Sequence, residues 1–360
     1  MNHESHDARP VRHGEQLDWA RLEQWLRDRL PGCEIGGLDL GQRMQVEQFP
    51  GGHSNLTYLV RFGDIDLVVR RPPFGEVPPA AHDVAREYRW LSAVNPVFPL
   101  APRPYLLCDD PDVIGSVFYV MERRHGVVLR GDEPPPIKDN PSMRHRVGTS
   151  VVDTLARLHR IDIERAGLSH LGKPSGFVGR QVRGWTERWE RFKTSELPEM
   201  EALASWLRER LPPDPLRPGI VHGDFKLDNL MLDTGSPDRL VAVFDWELAA
   251  LGEPLVDLGM LLVYWVPTAP PEHQDALSPV TDRPGWPGRD ELVDRYAAQS
   301  GRSLDTLPYF EIFAFFKIAV VIQQIYYRYV HGHAVDERFA SMGDRVTYLA
   351  RSAARRIERV

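Results

Sequence analysis

The sequence predicts an α+β protein in which a small antiparallel β-sheet lobe with one helix precedes a large, mainly α-helical lobe. Two observations predict this class. Short β-forming runs separated by glycine turns fill residues 45–71, and after the proline-rich stretch GDEPPPIKDNPS the apolar residues recur at helical spacing. We therefore divide the chain into a disordered tail (1–15), an N-lobe (16–122) and a C-lobe (123–360).

The N-lobe elements follow in order. Residues 1–15 carry few apolar side chains and lack the apolar core of a secretion signal. The spacing of LDWARLEQWLRDRL predicts a helix that Pro31-Gly32 ends. Antiparallel strands with turns at Gly51-Gly52 and Gly63-Asp64 come next, then a helix over AHDVAREYRWLSAV and a buried strand in VFYVMERRHG.

The C-lobe pattern is helical on both sides of a short β insert. MRHRVGTSVVDTLARLHRI, RQVRGWTERWERF and MEALASWLRERL each present an apolar stripe, and residues 290–356 are helical again. Between them lie two β-like runs that contain polar residues, IVHGDFKLDNLML and LVAVFDWELAALGEPLVDLGMLL.

Composition excludes several classes of protein. The chain has 360 residues, is 42% hydrophobic, and carries a formal charge of −7 with both signs mixed along it, which argues against nucleic acid as a partner. Cys33 and Cys108 match no metal-ligand spacing, so a reducing, cytoplasmic setting is expected. The longest apolar run, IFAFFKIAVVI, is interrupted by Lys317 and is too short to span a membrane. The sequence leaves the oligomeric state open.

Polar residues end both β-like runs. Asp224 and Asn229 occupy a loop after the first strand, with His222 two residues earlier, and Asp245 ends the next strand. We expect the three to converge at one end of a β-ribbon, as a carboxylate base and two oxygen ligands of the kind that Mg²⁺ prefers. Taken alone, Asn229 is better explained as a turn residue or a helix cap, and His222 as a packing residue that holds the loop.

These stretches resemble the aminoglycoside phosphotransferase and choline kinase superfamily, which has a protein-kinase-like bilobal fold. RRPPFGEVPPAAHDVAREYRWL, GRQVRGW and HGDFKLDN…FDWELAALGEPLVDLG are most similar to the branch found fused to acyl-CoA dehydrogenases. The resemblance covers residues 45–329. It implies that Asp224 is the catalytic base and that Asn229 and Asp245 hold Mg²⁺.

The same resemblance assigns the nucleotide site. Val68 would cover the adenine, and Arg70 would replace the usual lysine on the phosphates, with Glu87 as its helix partner. The glycine-containing turn over the phosphates would supply Gly51, Gly52 and Ser54, although it departs from the GxGxxG pattern.

The resemblance also assigns residues around the loop and between the lobes. Lys226 would steady the γ-phosphate, the backbone of Met121 and Glu122 would meet the adenine edge, and Asp257 would brace the catalytic loop. Glu247 is either an outer neighbour of the metal or a salt-bridge residue. Glu87 and Asp257 also have structural interpretations, as an ordinary helix residue and a helix cap.

The leading hypothesis is an ATP- and Mg²⁺-dependent kinase for a small hydroxylated molecule, such as a hydroxyacyl-CoA or a related metabolite. Arg70 and the irregular glycine turn motivate an alternative, a nucleotide-binding pseudokinase that regulates a partner. A protein kinase is the second alternative; Lys226 favours it, but no activation segment ending in A-P-E is recognisable.

Overall fold

The computed structural model describes residues 7–50, 55–75, 83–267, 270, 280–332 and 336–358. They form two compact units. The first comprises Met1–Gly126 and Val241–Glu247, and the second comprises Val127–Leu240 and Leu248–Val360. The division falls four residues after the predicted one, and 241–247 belongs to the first unit because Val243 N donates to Leu100 O (2.8 Å) and the ring of Trp246 packs on Phe98.

The first unit is a five-stranded antiparallel sheet with two helices. Its strand order is β1-β2-β3-β5-β4. The elements are α1 (Trp19–Arg29), β1 (Met44–Gln48), β2 (Leu56–Phe62), β3 (Ile65–Arg71), α2 (Val84–Val94), β4 (Pro104–Cys108) and β5 (Phe118–Glu122). All except β4 match the predicted elements.

Each helix buries one stripe. On α1 the stripe is Leu22, Trp25 and Leu26, and the Trp25 ring meets Phe118 of β5 edge-on at 5.0 Å. On α2 the buried residues recur every three or four positions, and the helix packs against β4 and β5. Glu87 belongs to this buried stripe of α2, so the interpretation of Glu87 as an ordinary exposed residue is wrong.

The predicted disordered tail is wrong for residues 7–15. Arg9 forms an isolated antiparallel bridge with Gln48 at the edge of the sheet. The Tyr58 hydroxyl donates to the backbone oxygen of Glu15 at 2.8 Å. The exposed edge of β1 offers unpaired backbone groups that this polar segment satisfies, a contact that composition does not reveal. Residues 1–6 lie outside the described range.

The second unit is mainly helical. Its helices are α3 (Pro141–His159), α4 (Phe177–Phe192), α5 (Pro198–Glu209), α6 (Leu255–Tyr264), α7 (Arg289–Ser300), α8 (Leu307–Val330) and α9 (Met342–Ile357). Short strands are inserted among them: β6 (Val127–Val128), β7 (Gly219–Val221), β8 (Leu230–Leu232), β9 (Leu240–Val243), which runs on into the first unit, and β10 (Ala250–Gly252).

The helix α8 is the centre of this unit and packs against α4, α5, α6 and α9. It extends well beyond the apolar run seen in the sequence. Among the described residues it is the one helix long and apolar enough to cross a membrane, but most of its apolar window is buried inside the protein. That burial is the pattern of a core helix.

Gly259 sets the distance between α6 and α8. A Cβ atom at Gly259 would lie 2.6 Å from the Phe310 backbone oxygen. By contrast, a Cβ at Gly184, in the middle of α4, would meet no heavy atom within 4 Å outside its own helix backbone.

We expect Gly259→Ala to destabilise the protein by about 1 to 3 kcal/mol, because the backbones of two packed helices must separate. The matched Gly184→Ala should instead stabilise it by about 0.5 to 1 kcal/mol through helix propensity. Urea unfolding of both variants measures the difference. Equal changes in the unfolding free energy of Gly259→Ala and Gly184→Ala would contradict the close approach of α6 and α8 at Gly259.

Candidate active site

The loop predicted to be catalytic, residues 222–229 (called the catalytic loop below), is anchored by a buried carboxylate. Asp257 on α6 accepts the backbone N–H of His222 at 2.6 Å and that of Gly223 at 2.7 Å. His159 Nε2 lies 3.2 Å from Asp257, and His159 Nδ1 lies 2.8 Å from the Tyr296 hydroxyl. Burial lowers the pKa of His159, so the neutral ring donates to Asp257 and accepts from Tyr296.

This environment keeps Asp257 ionised. Burial alone would raise the pKa of Asp257, but the hydrogen bonds from His159 and the His222 backbone hold it below its ordinary value. Asp257 therefore lies at the base of the loop, where it was predicted to brace it. His222 is fully buried, as expected of a residue that packs and holds the loop.

Gly223 gives the loop its turn. Its φ is +87°, and a Cβ there would lie 2.8 Å from both the Cβ and the backbone oxygen of Leu248. Only glycine meets both demands without strain. The turn places the Asp224 backbone N–H at His222 Nδ1, which accepts it at 3.2 Å. This hydrogen bond fixes the Gly223–Asp224 peptide.

The Asp224 carboxylate lies between two predicted site residues. Lys226 Nζ is 3.0 Å from Asp224 Oδ2, and Asn229 Nδ2 donates to the same oxygen at 2.9 Å and to the Asp224 backbone oxygen at 2.8 Å. Burial would raise the pKa of Asp224, but Lys226 and Lys317 outweigh it and lower the pKa below its ordinary value. The group is thus an anion at neutral pH.

The strands on either side of the loop belong to two different sheets. The strand before the loop, β7, pairs with β10, whereas the strand after it, β8, lies between β6 and β9. The structure brings Asp224, Lys226 and Asn229 together through the loop itself. Asp245 belongs to the first unit.

In the first unit Arg70 on β3 spans several carboxylates. Its Nε lies 2.9 Å from Glu87 Oε2, and its Nη2 lies 3.0 Å from Asp245 Oδ1 and 3.9 Å from Glu247 Oε2. The predicted Arg70–Glu87 pair is present, and the guanidinium also reaches Asp245. Glu247 lies in the same cluster.

Burial and the neighbouring charges shift the pKa values of Arg70 and Glu87. Burial, with Asp245 and Glu247 adding to it, raises the pKa of Glu87 to about 7 although Arg70 opposes the shift. Burial disfavours the charge of Arg70, but Glu87 and Asp245 raise its pKa above the ordinary value. Asp245 also has φ +67°, a strained value for a residue with a side chain.

The two residues predicted to bind magnesium, one in each unit, both carry oxygen donors. Asn229 uses its amide nitrogen to contact Asp224, which leaves its Oδ1 as a neutral oxygen ligand. Asp245 carries a carboxylate whose Oδ1 lies 3.0 Å from Arg70 Nη2. Oxygen ligands of these two kinds are those that Mg²⁺ prefers.

Two neighbours of Glu247 were not predicted. Asn55 Nδ2 donates to Glu247 Oε2 at 3.2 Å, and Arg86 Nη1 donates to the Glu247 backbone oxygen at 2.6 Å. Asn55 is only 2% exposed. The signal available in the sequence was its position directly before the β-like run LTYLVRF.

The remaining predicted residues are placed as follows. Val68 lies two residues before Arg70 on β3, is buried, and pairs with Met121 of β5. Glu122 ends β5, and its carboxylate accepts from Arg124 Nε at 2.9 Å. Gly51, Gly52 and Ser54 lie outside the described residues.

A sheet with a basic–acidic pair and a helical unit with an Asp–Lys–Asn loop are the parts of a kinase-like phosphotransferase. A family model agrees: the chain belongs to the phosphotransferase enzyme family (APH), whose model matches residues 45–292. The predicted superfamily is confirmed.

Curated relatives are acyl-CoA dehydrogenase family members. The chain is 35% identical over 327 residues to rat acyl-CoA dehydrogenase family member 11, covering 89% of this chain and 41% of the relative. It is 33% identical over 330 residues to mouse family member 10, covering 91% of this chain and 30% of the relative. The chain thus spans less than half the length of these relatives.

Solved structures confirm the predicted fold class. A protein of Ralstonia eutropha JMP134 assigned to the aminoglycoside phosphotransferases matches with a TM-score of 0.79 and 29% identity, over 96% of this chain and 99% of that one. Choline kinase of Cryptosporidium parvum (TM-score 0.66, 13% identity, 95% and 97% covered) shares the fold. So does aminoglycoside phosphotransferase APH(4)-Ia solved with AMP-PNP and hygromycin B (TM-score 0.55, 15% identity, 92% and 99% covered).

We expect the parent protein to lose stability as pH rises towards 8, and Glu87→Gln to remove part of that loss. The folded pKa of Glu87, about 7, lies above its ordinary value of 4.5, so its stabilising contribution is complete below pH 4.5 and is lost as pH rises through 7. The unfolding free energy of the parent should fall relative to the variant by about 2 to 3 kcal/mol between pH 5 and 8.

Urea unfolding across this pH range measures the effect. Glu34→Gln is the matched control, because Glu34 also pairs with an arginine of the first unit, Arg103, but has a side chain that is 90% exposed. If the unfolding free energies of Glu87→Gln and Glu34→Gln had the same pH dependence, ionisation of Glu87 would not destabilise the folded protein, and the prediction would be wrong.

Proposed function

We propose that this chain is an ATP-dependent phosphotransferase that moves the γ-phosphate to a hydroxyl group of a small molecule. The observation that carries the proposal is the Asp224 carboxylate, ionised between Lys226 and Asn229 on a backbone that Asp257 anchors. A carboxylate held in this way can accept a proton without rearranging its neighbours.

Asp224 would orient the acceptor hydroxyl and accept its proton as the bond to phosphorus forms. Lys226, already paired with Asp224, would steady the negative charge of the transferring phosphoryl group. Asn229 fixes the rotation of Asp224 through its amide nitrogen. The loop therefore combines a base, a cation and a positioning amide within eight residues.

On the nucleotide side, Arg70 and Glu87 would hold the phosphates, Val68 and Met121 would cover the adenine, and the Glu122 backbone would meet its edge. The AMP-PNP bound to APH(4)-Ia supports a nucleotide ligand for the shared fold. Asn229 and Asp245 would hold Mg²⁺, which supplies charge neutralisation for the β- and γ-phosphates.

For the acceptor we propose a hydroxyacyl-CoA or a related hydroxylated metabolite. The similarity to acyl-CoA dehydrogenase family members supports an acyl-thioester context.

A pseudokinase is the second candidate, because Arg70 contacts Asp245 directly at 3.0 Å. A guanidinium in that position competes for the carboxylate that a metal would use. The intact set of Asp224, Lys226 and Asn229 favours the enzyme.

We expect Asp224→Asn to lower kcat at least about a hundredfold while Mg-ATP affinity changes little, because the lost group acts on the acceptor hydroxyl. The assay incubates the protein with Mg-ATP and a panel of hydroxyacyl-CoAs, choline-like alcohols, aminoglycosides and a generic protein, and follows ADP release and product mass. Asp228→Asn, in the same loop but exposed, is the control. Turnover of Asp224→Asn within a few-fold of the parent would exclude Asp224 as the base.

We expect Arg70→Ala to weaken Mg-ATP binding by about ten- to a hundredfold, because a charge-assisted contact worth roughly 1.5 to 3 kcal/mol is lost. Arg70→Lys should recover only part, since an ammonium group cannot span Glu87 and Asp245 as the planar fork does.

Calorimetric titration with Mg-ATP checks this, with Arg61→Ala as the control because Arg61 forms ion pairs with Glu47 and Asp66 in the same sheet. Arg71 cannot substitute for Arg70, since its Nη1 donates to the Ile114 backbone oxygen at 3.2 Å. If Arg70→Ala bound Mg-ATP as tightly as the parent does, Arg70 would not be part of the nucleotide site.

A further inference from the structure

Lys317 is a charged residue in an otherwise apolar stretch of α8. It is only 4% exposed, and its Nζ donates to the backbone oxygen of Gly223 at 2.5 Å. The ammonium group also lies 5.2 Å from the centre of the Trp185 ring on α4. A buried lysine that donates to the catalytic loop has a specific partner rather than a solvated one.

The Gly223–Asp224 peptide is consequently held at both ends. Lys317 holds its oxygen, and His222 Nδ1 accepts its N–H at 3.2 Å. The preceding peptide is held by Asp257, which accepts the Gly223 N–H. Lys317 is thus the contact from α8 that fixes the plane of the peptide from which the Asp224 side chain departs.

We propose that Lys317 is a positioning residue for phosphoryl transfer, acting through the Gly223 carbonyl to fix the direction of the Asp224 carboxylate. The proposal rests on the proposed function of Asp224. Small displacements of a catalytic group cost large factors in rate, so the orientation of this peptide matters to the chemistry.

The charge of Lys317 is retained near neutral pH. Burial lowers the pKa of Lys317 to about 8, while Asp224 and Asp257 oppose the shift and Lys226 and Arg188 add to it. The pKa of Lys226 is raised and that of Tyr264 is raised to about 12, so neither of these neighbours titrates near pH 8.

The first experiment compares Lys317→Met, Lys317→Arg and the control Lys193→Met, which removes a lysine that pairs with Glu190 and Glu196. Lys317→Met should lower kcat by about ten- to a hundredfold with KM for ATP within about twofold, and Lys317→Arg should restore part of the loss. Unchanged kcat, or an equal loss in both Lys317 variants, would overturn the proposal.

The pH profile gives a second readout. The parent's kcat should decline as pH rises through about 8, where Lys317 loses its charge, and Lys317→Arg should lack this decline because a guanidinium stays protonated. This comparison needs only the arginine variant, so it remains decisive if Lys317→Met folds poorly. The same decline in both proteins would count against Lys317.

Hydrogen–deuterium exchange tests the proposal without activity. Lys317→Met should speed exchange in the peptide covering residues 222–229 by about tenfold or more, with little change in α3 or α9. If the parent phosphorylates no acceptor, the proposed function fails, but loop exchange still decides whether Lys317 holds the loop. Unchanged exchange in 222–229 would overturn the positioning role.

Discussion

The acceptance of two consecutive backbone N–H groups by the buried Asp257 carboxylate is the interaction on which the catalytic loop depends. An ionised carboxylate without solvent must be fully hydrogen-bonded, and the peptides of His222 and Gly223 supply most of its donors. The neutral His159 completes the set and is itself held by Tyr296. The loop cannot shift without leaving this charge unsatisfied, so its backbone is rigid before any ligand binds.

The first unit solves a different electrostatic problem. A lysine at position 70 could offer only a point charge, whereas the guanidinium of Arg70 contacts Glu87 through one nitrogen and Asp245 through another. The longer side chain of Arg70 is accommodated because Glu247 Oε2 stays 3.9 Å from Arg70 Nη2 and accepts a hydrogen bond from Asn55. The arginine therefore comes with neighbours that fit it.

Local patterns in the sequence predicted most helices and the placement of Asp224 and Asn229 in one loop, because both depend on residues a few positions apart. Pairings between distant segments were not predictable. β7 pairs with β10 rather than with β8 or β9, and Arg9 pairs with Gln48 at the edge of the sheet. Strand β4 was missed because PYLLC lacks the alternation of apolar and polar residues, although a turn signal, DDPD, follows it. Lys317 was visible as a charge in an apolar run, but nothing local indicates which carbonyl it meets 94 positions away.

The two anchors of the catalytic loop come from helices that touch at Gly259. Asp257 lies two residues before this glycine on α6, and Lys317 lies about two turns after Phe310 on α8, the residue whose backbone Gly259 approaches. Because helix backbones are stiff over such distances, the spacing at Gly259 also sets the distance between the carboxylate that holds the Gly223 N–H and the ammonium group that holds its oxygen. A side chain at position 259 would therefore disturb the loop as well as the core, and the requirement for glycine there belongs to the active site as much as to the packing.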